Sequence, residues 1–193
     1  MPTYVCVVKA GLLNNLQKPR IAAAITRLHS ETTGAPTWLV QVVIDENEQR
    51  QRYLSGQPAD HQIWIRGDIR AGRTSEQRQR LMLGIVQAVS EISGVEKSAI
   101  WVYLCNLAPD DMVEYGHVLP RPGAEQQWFQ TLPPELKRYL SPIGVENKKL
   151  ADNLRHQCKG SAFHGAKGAP TPAGWRFDHP ERFNRSEQRV FIK

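Results

Sequence analysis

Apolar and polar positions along residues 1–140 follow two periods, and the arrangement occurs twice. Residues 20–34 and 80–94 carry apolar side chains at helical spacing, and each segment ends in a glycine, which suits a helix C-terminus. The two segments align without gaps at an offset of 60 residues, with shared arginine, isoleucine, serine, glutamate and glycine positions. The pattern therefore predicts two equivalent helices.

Each predicted helix lies between two short apolar runs that are typical of β-strands. The runs are Tyr4–Val8 and Trp38–Ile44 around the first helix, and Gln62–Ile65 and Ile100–Leu104 around the second. Strands joined through a helix pair in parallel with a right-handed crossover. The sequence predicts two βαβ units, at about residues 3–45 and 62–105. Two helices cover one face of a four-stranded sheet, so we expect oligomerisation to cover the other face.

The connections have their own signals. Residues Glu46–Gln57 are polar and predict a loop or a short hairpin, and Pro109–Tyr115 predicts a helical turn. Short helices are predicted at Glu125–Leu132 and Pro134–Leu140. An arginine–glycine turn, Arg70-Ala-Gly-Arg73, leads into the second long helix, which Thr74 or Ser75 can cap.

Composition divides the chain into a domain at residues 1–150 and a basic, Gly/Pro-rich C-terminal extension at 151–193. The net charge of +6 is concentrated in the extension, since residues 155–193 contain eight Lys or Arg and three Asp or Glu. The basic balance is therefore a weak indication of nucleic-acid binding. The extension also carries five aromatic residues, and we expect these to anchor it on a neighbouring surface: Phe163, Trp175, Phe177, Phe183 and Phe191.

Other classes of protein and site are disfavoured. No apolar run approaches the roughly 20 residues of a membrane span, and the N-terminus lacks the pattern of a secretory leader. Three cysteines, Cys6, Cys105 and Cys158, indicate a cytoplasmic protein without disulfides. The spacing of Cys158 with His156 and His164 fits no standard zinc site.

Pro2 is the first candidate for chemistry. If Met1 is removed, Pro2 becomes a secondary amine at the end of a strand, and an α-amino group titrates at roughly 7.7–8.0. It can then give or take a proton near neutral pH. Two arginines three residues apart, Arg70 and Arg73, can converge on one carboxylate.

Several motifs share a resemblance with one family. They are Met1-Pro-Thr-Tyr, Ile25-Thr-Arg-Leu-His29, Arg70-Ala-Gly-Arg73, Ile100-Trp-Val-Tyr103, Met112-Val-Glu114-Tyr-Gly, Leu119-Pro-Arg-Pro-Gly123 and Trp128-Phe129. Together they resemble the tautomerase superfamily, in its cis-3-chloroacrylic acid dehalogenase branch. The resemblance implies an α/β (α+β) fold, with a duplicated βαβ unit, a four-stranded mixed sheet and two helices on one face. It also implies a homotrimer without cofactor or metal.

The resemblance assigns roles to six residues. Pro2 would be the catalytic amine, Arg70 and Arg73 would hold the substrate carboxylate with help from His29, and Tyr103 and Glu114 would activate water. Taken singly, each side chain also has a structural interpretation, such as a solvated turn for the arginines or a core position for Tyr103. The loop after Gly34 reads Ala35-Pro36, where the family pattern has a hydroxyl beside the pocket.

Three functions stay open. The first is hydration or hydrolytic dehalogenation of small 3-substituted unsaturated carboxylates, which the pairing of Glu114 with Tyr103 favours. The second is keto–enol tautomerisation of a 2-hydroxydienoate or phenylenolpyruvate by the same Pro2 and arginines. The third is a non-enzymatic interaction protein with this fold. The expected partners are a small unsaturated carboxylate, water and other copies of the chain, with neither nucleic acid nor membrane.

Overall fold

The computed structural model describes residues 2–46, 48 and 51–143. In chain order its elements are β1 (Thr3–Val8), α1 (Gln17–Thr33), β2 (Gln41–Glu46), β3 (Tyr53–Leu54), β4 (Gln57–Pro58), β5 (Ile63–Arg70), α2 (Ser75–Ser93), β6 (Ile100–Leu107), β7 (Val113–Glu114), β8 (His117–Val118), α3 (Glu125–Thr131) and α4 at residues 134–143. Short 3₁₀ turns lie at Thr37–Leu39, Lys97–Ala99 and Pro109–Asp111.

Four strands form one mixed sheet in the order β2-β1-β5-β6. Strand β1 runs parallel to β2 and β5 runs parallel to β6, as expected for two βαβ units. The units meet at the centre, where β1 and β5 are antiparallel. Near one end of this pairing Thr3 of β1 is opposite Asp68 of β5, and near the other end Trp64 of β5 is opposite Val7 of β1. The two halves are therefore related by an approximate two-fold axis. The predicted fold is confirmed.

Local signals explain where the long helices begin and end. Gly34 and Gly94 adopt left-handed backbone angles, with φ of 75° and 78°, and so stop α1 and α2. Helix α2 begins with a capping box, in which the Thr74 hydroxyl accepts from the Gln77 N–H at 3.2 Å. Of the two predicted caps, the structure uses Thr74.

The core lies between the helices and one face of the sheet. Alternate strand residues point into it and meet the apolar stripes of both helices. Its buried members are Tyr4, Cys6, Val8, Leu13, Ile21, Ile25, Ile63, Ile65, Ile69, Leu81, Ile85, Val89 and Ile100. The opposite face of the sheet, here called the open face, exposes Val43, Trp101 and Tyr103. Arg66 and Asp68 form an ion pair on this face, at 3.0 Å.

Two hairpins use the same turn chemistry. Ser55 and Gly56 have φ of 50° and 78° between β3 and β4, and Tyr115 and Gly116 have φ of 52° and 79° between β7 and β8. Two successive positive φ values match the right-handed twist of a two-residue hairpin. The first hairpin lies in and just beyond the segment predicted as a loop or short hairpin.

The predicted helical turn at Pro109–Tyr115 is only partly right, because the helical part ends at Asp111 and the rest enters the β7–β8 hairpin. The short helix predicted at Glu125–Leu132 is α3, and the next one is α4. The extension at 151–193, including His156, Cys158 and His164, lies outside the described residues, as do its five aromatic residues. Within residues 2–46, 48 and 51–143, no helix has the length and apolar character to span a bilayer.

Candidate active site

Pro2 is fixed at the entrance to β1. Its side chain is fully buried, and its carbonyl accepts a hydrogen bond from the N–H of Gln41 at 3.0 Å. Gln41 is the first residue of β2. A strand of the sheet therefore fixes Pro2, the residue just before the central strand β1. The nitrogen that would serve as the catalytic amine is thus tied to a rigid element.

His29 lies on the core-facing side of α1 and is only 2% exposed. The Tyr4 hydroxyl is 2.8 Å from His29 Nδ1, and the rings meet edge to face with centroids 5.8 Å apart. Burial raises the pKa of Tyr4, so its hydroxyl keeps its proton. That proton has Nδ1 as its acceptor, and the ring proton of a neutral His29 therefore lies on Nε2.

The pKa of His29 is lowered from 6.5 to about 3. Burial is the main cause, followed by the positive charges of Arg73, Arg70 and the amino terminus. The charges of both arginines thus act on His29, whose partner Tyr4 lies two residues after Pro2 in the chain. At neutral pH His29 carries no charge, and its Nε2–H can donate one hydrogen bond to an anion.

Arg70 and Arg73 are placed by different elements. Arg70 is the last residue of β5 and is 3% exposed, so the predicted arginine turn begins within a strand. Its Nη1 donates to the carbonyl of Pro120 at 2.6 Å. Arg73 lies in the connection to α2, and its Nη1 donates to the carbonyl of Thr33 at 3.0 Å, at the end of α1. Burial is the main reason that the pKa of Arg73 is lowered.

A carboxylate that sequence reasoning missed joins the two arginines. Glu125 Oε1 lies 2.5 Å from Arg70 Nη2 and 4.0 Å from Arg73 Nη2. Burial alone would raise the pKa of Glu125, but hydrogen bonds from its own backbone, Arg70 and Gly123 and the charge of Arg70 hold that pKa below its usual range. The group is therefore ionised at neutral pH.

The other two predicted residues, Tyr103 and Glu114, lie on β6 and β7. Tyr103 is on the open face, 49% exposed, with its ring against that of Trp64 at a centroid distance of 6.0 Å. Glu114 is half-buried on the β7–β8 hairpin. The next residue, Tyr115, donates its hydroxyl to the carbonyl of Trp38 at 3.1 Å, which ties this hairpin to the segment that follows α1.

The arrangement combines a pair of guanidinium groups beside Glu125, a neutral imidazole donor and a buried proline. Such a group can hold a small carboxylate and move a proton beside it without a metal ion. Within the part of the chain that the structure describes, no group of three or more His, Cys, Asp or Glu side chains could hold a metal.

Comparison with known proteins identifies the family. Residues 1–131 match the family model described as "Putative oxalocrotonate tautomerase enzyme". The crystal structure of N1, a member of the cis-3-chloroacrylic acid dehalogenase (cis-CaaD) family, is similar over 72% of this chain and 99% of that protein, with 35% identity and a TM-score of 0.70. The chain belongs to the cis-CaaD family of the tautomerase superfamily.

Other solved structures share the tautomerase fold. Native Ps01740 is 30% identical, covering 58% of this chain and 99% of that protein, with a TM-score of 0.56. The Q0 fused 4-OT, a symmetric trimer, is 22% identical over 62% of this chain and 97% of that protein, with a TM-score of 0.57. No curated protein matches this cis-CaaD family member in sequence.

Two residues of this family member were missed from the sequence, Tyr4 and Glu125. Tyr4 had a signal, because a hydroxyl in an apolar strand requires a buried partner, and His29 lies on the apolar side of the following helix. Glu125 reads as an ordinary acidic residue in the first turn of a short helix. Its contact with Arg70 spans 55 residues of sequence, and no local pattern reveals it.

Proposed function

We propose that this protein is a cofactor-independent enzyme that hydrates small 3-substituted unsaturated carboxylates and hydrolytically dehalogenates those that carry a 3-halogen. The single observation that carries the proposal is the pair of buried side chains Arg70 and neutral His29, together with Arg73, whose charge also acts on His29. We also propose a cytoplasmic location, consistent with free thiols at Cys6 and Cys105.

The proposed steps follow from the chemistry of these side chains. The arginines and His29 hold the carboxylate and draw electron density from the conjugated double bond, which makes the β-carbon electrophilic. Glu114 takes a proton from a water that Tyr103 orients, and the oxygen bonds to the β-carbon. Protonated Pro2 delivers a proton to the α-carbon. If the β-carbon carries halogen, the halohydrin loses halide and a proton to leave an aldehyde.

We propose a homotrimer in which a neighbouring subunit supplies Tyr103. Tyr103 pairs with Arg66 in the sheet and Arg66 pairs with Val5, whereas Pro2 lies three residues before Val5. Within one chain the tyrosine is therefore roughly 10 Å away both along and across the strands. Its exposed ring, together with the exposed Val43 and Trp101 on the open face, fits an interface between copies. A stable, active monomer in light scattering would contradict this assembly.

Keto–enol tautomerisation is the second candidate, favoured by the matching family's description as an oxalocrotonate tautomerase enzyme. It requires only a neutral Pro2, which removes a proton and returns it along a dienol, and the arginines that hold the carboxylate. The two reactions differ in their need for an activated water. Glu114 is therefore the residue that separates them.

The test is a proton-NMR screen of the purified protein against cis- and trans-3-haloacrylates, propiolate, 2-hydroxymuconate and phenylenolpyruvate. Intact mass must show that the active protein begins at Pro2, and Pro2→Ala should lower turnover by about 10²-fold or more. Glu114→Gln should abolish hydration and spare tautomerisation. Loss of both activities in an intact trimer would contradict that division, and no turnover of any substrate would favour the non-enzymatic alternative.

A further inference from the structure

Glu125 lies against the Nη2 atoms of both arginines of the proposed site, whereas their Nη1 atoms donate to main-chain carbonyls. It is 8% exposed, and one oxygen of its carboxylate faces both guanidinium groups, at 2.5 Å from Arg70 and 4.0 Å from Arg73. The other oxygen, Oε2, accepts from the N–H of Gly123 at 2.8 Å. The carboxylate cannot rotate away from the arginines without breaking that second bond.

The three side chains form one charged unit. Two guanidinium groups and one carboxylate leave a net single positive charge, and His29 adds none because it is neutral. The main-chain carbonyls that fix Arg70 and Arg73 are neutral acceptors, from Pro120 and Thr33. Glu125 is thus the group that lowers the charge of the arginine pair from two to one.

This unit of two arginines and one carboxylate, with one net positive charge, is matched by one negative charge on a ligand. A second carboxylate on the ligand finds no second uncompensated cation in this unit and approaches the field of Glu125, which is strengthened by burial. Without Glu125, the same two arginines would present two positive charges and would favour dianions. The carboxylate therefore acts on specificity through the arginines rather than by touching the ligand.

We propose that Glu125 is a specificity-determining and positioning residue that makes the Arg70–Arg73 pair selective for monocarboxylates over dicarboxylates. This inference rests on the proposed function, in which the arginine pair binds the substrate carboxylate. It predicts that the preferred substrates carry one carboxylate.

The experiment measures binding with ligands that cannot react, so that it does not depend on turnover. Propanoate and succinate are titrated into the full-length wild-type protein, Glu125→Gln and the matched control Glu135→Gln, with NMR shifts as the readout. Glu135 is exposed on α4, so its substitution makes the same change in charge without touching the arginines. Unfolding curves show which variants are folded.

We expect wild type and Glu135→Gln to prefer propanoate, and Glu125→Gln to shift the preference towards succinate by about tenfold. Glu125→Asp keeps the charge, and we expect it to retain the wild-type preference even if both affinities fall. A parallel loss of both affinities in Glu125→Gln, or no binding of either ligand by wild type, would overturn the inference. Failure of the haloacrylate screen alone, with the binding shift present, would instead overturn the proposed reaction.

Discussion

The two βαβ halves of the chain match at their helix ends. Ser30 in the first half and Ser90 in the second each accept a backbone hydrogen bond from the closing glycine, Gly34 or Gly94, at 2.8 Å in both cases. Each serine also donates its hydroxyl to the carbonyl five residues later, at 2.6 and 2.7 Å. The duplicated sequence thus maintains a duplicated backbone.

The halves differ at residues of the proposed site. Strand pairing makes Thr3 equivalent to Trp64, because their partners in β2 and β6 are 60 residues apart. Counting on from this match, Tyr4 corresponds to Ile65, and His29 corresponds to Val89 through the helix repeat. Ile65 and Val89 are fully buried and apolar.

One half therefore keeps a polar pair where the other keeps ordinary core. The first half contributes Pro2 and His29 to the proposed site, and the second contributes Arg70 and Arg73. Neither half holds a complete set, so the duplication yields one site per chain rather than two. The difference teaches that the shared helix ends and core positions preserve the fold, while residues that differ between the two copies form the proposed site.

The largest expected effect comes from acid, through His29. Its pKa is about 3 in the folded chain and near 6.5 when unfolded. The unfolded chain therefore binds the proton first as pH falls, so the stability contribution is complete above pH 6.5 and is lost towards pH 3. By about pH 4 the loss is on the order of 3 kcal/mol.

The substitution His29→Val gives the first half the residue that the second half has at this position. It should remove this part of the pH dependence of the free energy of unfolding. The measurement is urea unfolding across pH 4–8, compared with wild type. His61 is exposed. His61→Val is the control, and the free energy of unfolding of this variant should depend on pH as it does in wild type. If the free energy of unfolding changed equally with pH in wild type and His29→Val, this would contradict a histidine buried in its neutral form.

The next effect concerns the space for the Tyr4 ring. A Cβ added at Gly67 would lie 2.5 Å from Cε1 of the buried Tyr4 and 2.8 Å from Cδ2 of Leu104, which packs against the core. We expect Gly67→Ala to lower the free energy of unfolding by about 3 kcal/mol, because the ring has nowhere to move. Gly84→Ala is the control.

At Gly84 the added Cβ meets only the flexible end of Leu28, at 3.2 Å, and lies in a helix interior where alanine is favoured by about 1 kcal/mol. Gly84→Ala should therefore be neutral or stabilising in the same urea unfolding measurement. If both variants behaved alike, the close approach of Tyr4 to Gly67 would not be a constraint on the fold.

A smaller effect is expected from Tyr4→Phe, which keeps the ring and removes the hydroxyl. The buried Nδ1 of His29 then loses its donor, at a cost of about 1.5 kcal/mol. Any activity found in the substrate screen should also fall, since the imidazole is no longer held in one orientation. Tyr139→Phe, at an exposed position, should leave both stability and activity unchanged.

The smallest expected effect comes from a difference between the exposed side-chain pairs of α1 and α2. Arg27 and Glu31 form an i,i+4 ion pair at 2.8 Å in α1, and the equivalent pair in α2 is a hydrogen bond between Gln87 and Glu91. Gln87→Arg would copy the first half into the second and should stabilise by about 0.3 kcal/mol, a gain that salt removes. A gain above about 1 kcal/mol would show that the pair is more than a surface contact.

Much of the fold could be predicted because its signals are local or repeated. The helix-ending glycines, the apolar strands and the 60-residue repeat predict two βαβ units, and the structure confirms them. Glu114 was placed in a helical turn, although Tyr115-Gly116 is a hairpin turn whose angles are not evident from residue types alone. The site depends on contacts between distant segments, and a comparison of Tyr4 with its counterpart Ile65 would have added to the signal of a hydroxyl in an apolar strand.

A chain end is usually the least ordered part of a domain. Pro2 is an exception, since its ring is enclosed by core and its carbonyl is held by Gln41 at 3.0 Å. Pro2 therefore loses its conformational entropy when the chain folds, and ligand binding does not have to order it again. An amine carried here is preorganised, and loosening the start of β2 should weaken its action without touching it.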